Sequence, residues 1–153
     1  MITRATEYAS LAMLYLAKRG PGGVHYTADI ARDQHIPPSF LAKVINQLAR
    51  AGLLVARRGP TGGIELARSP ESITLRQIIE AMEGEVAVNV CTSNEPYACF
   101  RSGCALKSAF QMAQQNFLSA LDSVTLASLV IKESFNVEPR GEETATSSVA
   151  GHC

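Results

Sequence analysis

Two groups of side chains in this sequence are of the right type and spacing to do chemistry. The first is a set of three cysteines, Cys91, Cys99 and Cys104, which fall within fourteen residues as C-x7-C-x4-C. They share a segment with Asn94, Pro96 and Gly103, so the backbone there can fold round one soft metal centre. There is no C-x-x-C pair and hence no structural zinc signature. A redox disulfide and inert thiols remain the other readings of the spacing. The second group lies earlier, where Ser39, Lys43, Asn46, Gln47 and Arg50 recur at helical spacing opposite an apolar stripe. Short hydrogen-bonding groups and two cations on one face suit base edges and phosphates in a major groove. The three histidines lie far from the cysteines in sequence, no nucleophile is paired with a His and a carboxylate, and no phosphate-cradling glycine motif precedes a helix. These absences argue against an enzyme.

The elements that must position these groups can be read from periodicity. Tyr8, Leu11, Ala12, Tyr15 and Leu16 predict an amphipathic helix over Thr3 to Arg19, stopped by Gly20-Pro21-Gly22-Gly23. A short helix is expected after Thr27 as N-cap, with Asp29 in its first turn and Ile30 and Ala31 inward, running to Gln34. After His35-Ile36-Pro37, Pro38 opens a further helix with Leu41, Val44, Ile45 and Leu48 buried, which ends at Ala51-Gly52. Two short helices about a tight turn form a helix-turn-helix. Leu53 to Arg58 and Ile64 to Arg68 then alternate as strands about Gly59-Pro60-Thr61-Gly62-Gly63. A β-hairpin in that place is a wing, on which Arg57 and Arg58 can reach phosphates or a minor groove, while Gly62 and Gly63 let the backbone come close to the duplex.

Thr74 is expected to cap a helix that ends at Gly84, with Leu75, Ile78, Ile79 and Met82 inward. The chain is irregular from Glu85 to Gly103, and a long helix starts near Cys104 with Leu106, Phe110, Ala113, Phe117, Leu121 and Val124 on one side. That stripe is too long for so small a domain to cover. Pairing with the same helix of a second copy is expected, and a two-fold homodimer matches a palindromic operator in double-stranded DNA. The fold class is thus mainly α with a small β-hairpin wing, a winged helix-turn-helix plus a long dimerisation helix. The expected divisions are a DNA-binding domain over 1–83, a cysteine-bearing loop over 84–103, the dimerisation helix and a short terminal helix over 104–132, and a disordered tail over 133–153.

Composition agrees with this layout. Of 153 residues 46% are hydrophobic, enough for a core without disulfides, and the 18% that are charged are too few for a charge-dense disordered chain. The longest nearly apolar run, Ala9 to Ala17, is nine residues and cannot cross a bilayer. No secretory signal pattern opens the sequence, so a cytoplasmic protein is expected. The formal net charge is zero, but residues 1–68 hold nine Lys/Arg against four Asp/Glu while residues 69–153 hold five against ten. A basic first half and an acidic second half place anion binding in the first.

Several of these motifs, in this order, resemble the winged-helix iron-sulfur regulators typified by IscR, NsrR and RirA. The resemblance rests on Glu7-Tyr8, Ser39-Phe40-Leu41, Val44-Ile45-Asn46-Gln47-Leu48, Arg50-Ala51-Gly52-Leu53 and Arg58-Gly59-Pro60 with Gly62-Gly63-Ile64-Glu65-Leu66. It continues through the three cysteines, Cys104-Ala105-Leu106-Lys107, Phe117-Leu118, Leu121-Asp122 and Thr125 to Val130, and covers roughly residues 1 to 132. The Val44 to Gly52 stretch is most similar to the nitric-oxide-responsive branch. The resemblance implies a dimeric transcription factor, a repressor or dual regulator, with one iron-sulfur cluster per subunit held by Cys91, Cys99 and Cys104. The fourth ligand it implies is Glu7, supplied by the other subunit, because Lys107 stands where relatives that use a histidine carry it. The cysteine gaps of seven and four differ from the near-equal gaps of the family. A 4Fe-4S cluster is favoured, with 2Fe-2S as the other type. His35 is read as an exposed turn histidine, His25 and His152 as weaker candidates, Cys153 as a free thiol, and Ala42 as a position bearing on base preference. A cluster-free thiol-disulfide switch is the alternative regulator.

Overall fold

The structure is a computed structural model, and it describes residues 2–20, 23–57, 59, 62–94 and 103–135. Helix α1 spans Arg4–Lys18, α2 Thr27–Asp33 and α3 Pro38–Arg50; β1 (Leu54–Arg57) and β2 (Gly63–Leu66) form the hairpin. Helix α4 (Leu75–Glu83) follows a 3₁₀ turn at Pro70–Ser72, a second 3₁₀ turn lies at Val90–Thr92, and α5 (Ala105–Asp122) and α6 (Leu126–Phe135) complete the order. This is the mainly helical winged-helix architecture expected from the sequence.

Helix α1 is the axis of the core and packs against α3, α4, α6 and β2. Its buried side chains are Thr6, Ala9, Ala12, Met13, Tyr15, Leu16 and Ala17, whereas Tyr8 and Leu11 sit at the margin. The inward arc is therefore wider than the expected stripe, because neighbours cover α1 on several sides and small alanines let their backbones approach. Helix α3 follows expectation more closely, with Leu41, Val44, Ile45 and Leu48 buried and Pro38 in its first turn. Gly52, at φ +70, lets the chain turn off the end of α3, where the Leu53 amide reaches back to the Leu48 carbonyl at 3.0 Å. Thr27 is the first residue of α2 and not its cap; Tyr26 holds the cap position and no side chain caps the helix.

The hairpin pairs Leu54 with Leu66, Val55 with Glu65, Ala56 with Ile64 and Arg57 with Gly63. Strand β2 is shorter than expected and β1 starts one residue later than expected; Arg58, the expected last residue of β1, lies outside the described residues. The Leu53 amide turns back to the Leu48 carbonyl while its own carbonyl still accepts from the Ala67 amide at 3.0 Å, and β2 starts at Gly63, which lies against the chain at Val24 and His25. A Cβ on Gly63 would come within 2.4 Å of Val24 Cγ1 and 2.8 Å of the His25 carbonyl oxygen. His25 pairs with Ile64 in both directions, at 3.0 and 2.8 Å, and so fastens the wing root to the segment before α2.

Helix α4 begins with the expected Thr74 cap, elaborated into a reciprocal box in which Thr74 and Gln77 bond each other's backbone amides. Helix α6 returns to the first domain. Leu126 is 1% exposed within the main core, its amide bonds the Ile73 carbonyl at 3.0 Å, and Lys18 pairs with Glu133. The helix runs to Phe135, so the expected tail boundary at 133 falls inside an ordered turn; the remainder of that segment lies outside the described residues. No helix among the described residues is long and apolar enough to cross a membrane.

The end of α4 is clamped to the start of α1. Glu83 accepts hydrogen bonds from the Thr3 amide at 2.8 Å, the Thr3 hydroxyl at 2.7 Å and the buried Thr6 hydroxyl. The Thr6 hydroxyl and then the Thr3 donors hold the Glu83 carboxyl below its ordinary value of 4.5. A depressed carboxylate stabilises the fold above that ordinary value, and the contribution is lost as pH falls from 4.5 through the lower folded value. Glu83→Gln is expected to lower the urea midpoint at neutral pH and to flatten its acid-side decline; an unchanged decline would show that the clamp carries no linkage.

Candidate nucleic-acid interface and cysteine centre

The turn between α2 and α3 is made by His35, whose φ of +53 is one that few non-glycine residues adopt, followed by the buried Ile36. His35 is exposed on this turn, as expected. The turn is braced from α1: the Tyr15 hydroxyl donates to Asp33 at 3.0 Å, the Arg19 guanidinium lies 3.6 Å from the Tyr15 ring centre, and Arg32 bonds Asp33 at 2.9 Å. The Tyr15 hydroxyl and Arg32 hold the Asp33 carboxyl below its usual range. The carboxylate between α1 and α2 is thus committed to structure.

With its apolar stripe locked inward, α3 turns Ser39, Lys43, Asn46, Gln47 and Arg50 outward together, and Ala42 is exposed among them. Strand β1 packs against α3, which brings the wing beside that face. Gly63 is half-buried against His25, and Gly62 is buried with its amide bonding the Gly59 carbonyl at 2.9 Å. Arg57 is exposed but already partnered, since its Nε and Nη2 both bond Glu65 Oε1, at 2.9 and 2.6 Å. Arg58 lies outside the described residues. Phe40, one residue into this face, packs edge-on against Tyr8 of α1 with ring centres 5.5 Å apart, and Arg4 lies over the same Tyr8 ring.

The cysteine centre is built at the head of α5. Cys104 occupies the N-cap position of α5 and Cys91 sits in the 3₁₀ turn that packs against the same helix; both are free, half-buried thiols. Cys99 and Cys153 lie outside the described residues, as does His152. The turn is held by a residue that sequence reasoning missed. Gln114 of α5 is 8% exposed, its Oε1 accepts from the Val88 amide at 2.7 Å, and its Nε2 donates to the Val86 carbonyl. The signal was present: Gln114 stands four residues after Phe110 and three before Phe117, a polar position within an apolar stripe. Asn89 completes the hold by accepting from the Cys91 amide at 3.2 Å.

Cys91 opens on a cleft of about 390 Å³ that it shares with Ser93, Lys107 and Gln111. Glu7 is exposed on α1 and paired with Arg4 at 2.8 Å. Among the described residues no three His, Cys, Asp or Glu side chains converge, so Cys91, Cys104 and Glu7 of one chain do not form a metal site by themselves. The His25 ring lies edge-on to Tyr15 at 6.1 Å, and its buried Nε2 has no hydrogen-bond partner among the described residues. Cys91 in the 3₁₀ turn and Cys104 at the α5 N-cap are soft thiols with the donor chemistry of an iron-sulfur group.

Comparison with known proteins places this architecture. The sequence model of the Rrf2 family, described as an iron-dependent transcriptional regulator, matches residues 2–132. CymR (YrzC), the global cysteine regulator of B. subtilis, is 25% identical over 86% of this chain and 97% of its own, with a TM-score of 0.73. An IscR from T. potens is 26% identical over 92% of this chain and 93% of its own, with a TM-score of 0.72. The oxidized form of Staphylococcus aureus CymR is 25% identical over 85% of this chain and 95% of its own, with a TM-score of 0.66. With its helix-turn-helix, hairpin and long helix, this chain belongs to the Rrf2 family of DNA-binding transcriptional regulators, which are not enzymes.

Proposed function

We propose that the chain acts as a homodimeric repressor whose affinity for a palindromic operator is set by an iron-sulfur cluster. In this reading Cys91, Cys99 and Cys104 hold the cluster, with Glu7 of the partner subunit as fourth ligand. The observation that carries it is that two half-buried thiols, neither in a disulfide among the described residues, belong to one helix and the turn packed on it: Cys104 caps α5, Cys91 sits in the adjoining 3₁₀ turn, and apolar side chains of that helix are exposed. An exposed Glu7 that joins no metal group among the described residues is consistent with a ligand given to a second copy. When bound, the cluster supplies iron that reacts with nitric oxide or oxygen or is lost on iron limitation, 4Fe-4S being the favoured type and 2Fe-2S the other.

The chain's own residues would do the reading and the coupling. Ser39, Asn46 and Gln47 are suited to base edges and Lys43, Arg50, Arg57 and Arg58 to phosphates. Gly62 is buried and Gly63 packs on Val24 and His25, so these two glycines shape the wing rather than meet the duplex as expected. Glu7 precedes Tyr8, and Tyr8 packs on Phe40 of α3, so a movement of α1 at Glu7 reaches the recognition helix through one aromatic contact. A second reading, a thiol-disulfide switch, is favoured by the opening of Cys91 onto a cleft.

Purification without oxygen is expected to give a coloured protein containing iron and sulfide, and Cys104→Ala to lose both. Nitric oxide should bleach the wild type and weaken its hold on the operator. A colourless, metal-free wild type after reconstitution, whose DNA affinity follows thiol reductants, would establish the switch instead.

A further inference from the structure

Between residues 34 and 70 the sequence contains Lys43, Arg50, Arg57, Arg58 and Arg68 but a single carboxylate, Glu65. A glutamate is a poor strand residue, and on a surface that meets a polyanion it repels the ligand. Its placement is specific. Glu65 stands opposite Val55 in the ladder and Arg57 opposite Gly63, so the two side chains lie on a diagonal, with Arg57 Nε and Nη2 both on Glu65 Oε1. The carboxylate is the fixed member of the pair: the Glu65 side chain is 20% exposed and that of Arg57 63%. Its neighbour Ile64 is tied on the far edge to His25, which holds β2 in place under it.

We propose that Glu65 is a specificity-determining residue that keeps Arg57 off the phosphates of non-operator DNA. A phosphate offers a guanidinium the same two-point geometry as a carboxylate. Transfer of Arg57 from Glu65 to a backbone phosphate breaks one ion pair and makes another, and it leaves Glu65 uncompensated beside the duplex. The exchange succeeds only where the rest of the face brings a phosphate up to Arg57, that is, on an operator that α3 fits. This inference rests on the reading of α3 and the wing as the DNA face.

The test uses the full chain with two duplexes, one of random sequence and one operator selected by the wild type from a random-sequence library. Glu65→Gln is expected to bind the random duplex about 3- to 10-fold more tightly, with a log–log salt slope steeper by about 0.9 for each phosphate newly contacted. Operator affinity should rise less, so that the ratio between the two duplexes falls. Arg57→Gln alone should weaken operator binding more than random-duplex binding, and should cancel the gain when added to Glu65→Gln. The proposal is overturned when folded Glu65→Gln binds random DNA no better than wild type, or when its gain persists without Arg57. Lys43→Ala separates the two levels: weaker binding of both duplexes upholds the DNA face even if Glu65→Gln changes nothing, whereas no effect removes the face itself and the proposal with it.

Discussion

Phe117→Asp is expected to run as a monomer in sedimentation and to lose about 100-fold or more of the affinity for a two-half-site operator, since tethering two modules multiplies affinity by about 10²–10⁴. The reason is the surface of α5, where Leu106 is 64% exposed, Met112 62% and Phe117 40%. An isolated apolar side chain on a surface needs no explanation, but three on one long helix imply a covering partner. A self-complementary pairing of α5 helices would bury part of this apolar surface and fix the separation of two recognition helices. A carboxylate at Phe117 would have to be buried unpaired in that pairing. Phe117 also borders a groove of about 290 Å³ with Ile2, Ile79 and Val88, so Met112→Asp serves as a second variant outside the groove. A folded, dimeric chain in both cases would remove α5 as the pairing element.

Leu41→Ala is expected to cost about 2–5 kcal/mol, the range for deleting a fully buried leucine side chain, out of a typical domain stability of about 5–15 kcal/mol. Leu41 is 0% exposed and stands in the first turn of α3, where it locks the outward direction of Ser39 and Lys43. Its loss should therefore weaken DNA binding as well as shift the denaturation midpoint. Ser39→Ala, on the opposite side of the same turn, should stay within about 0.5 kcal/mol of wild type in stability. A cost below about 1 kcal/mol for Leu41→Ala would mean that α3 is not packed as described.

What the sequence allowed to be read, and what it did not, follows from the range of the interactions concerned. Helix α3 was legible because its apolar stripe, its opening Pro38 and its closing Gly52 are all local signals, and α4 because Thr74 and Gly84 bracket it. Cys104 stands at the head of α5, where the apolar periodicity begins. The inward arc of α1 was read too narrowly, since Ala9 and Met13 are buried by elements far away in the chain. The Glu83 clamp joins residues 77 to 80 positions apart and the Gln114 anchor 26 to 28, and periodicity carries no information on such pairs. The outward face of α3 was legible as the complement of its stripe. The engagement of Arg57 by Glu65 was not, because it depends on strand register, which a hydrophobic pattern fixes only by face.

The return of α6 to α1 has a consequence for synthesis on the ribosome. The interior of the DNA-reading head takes Leu126 from beyond the thiol-bearing stretch and α5, and the Ile73 carbonyl bonds its amide. A nascent chain that has emerged only as far as the wing has most of its recognition surface but an unfilled interior. The head closes only after the cysteine segment and α5 have been translated, so a nascent chain lacking them has an incomplete core.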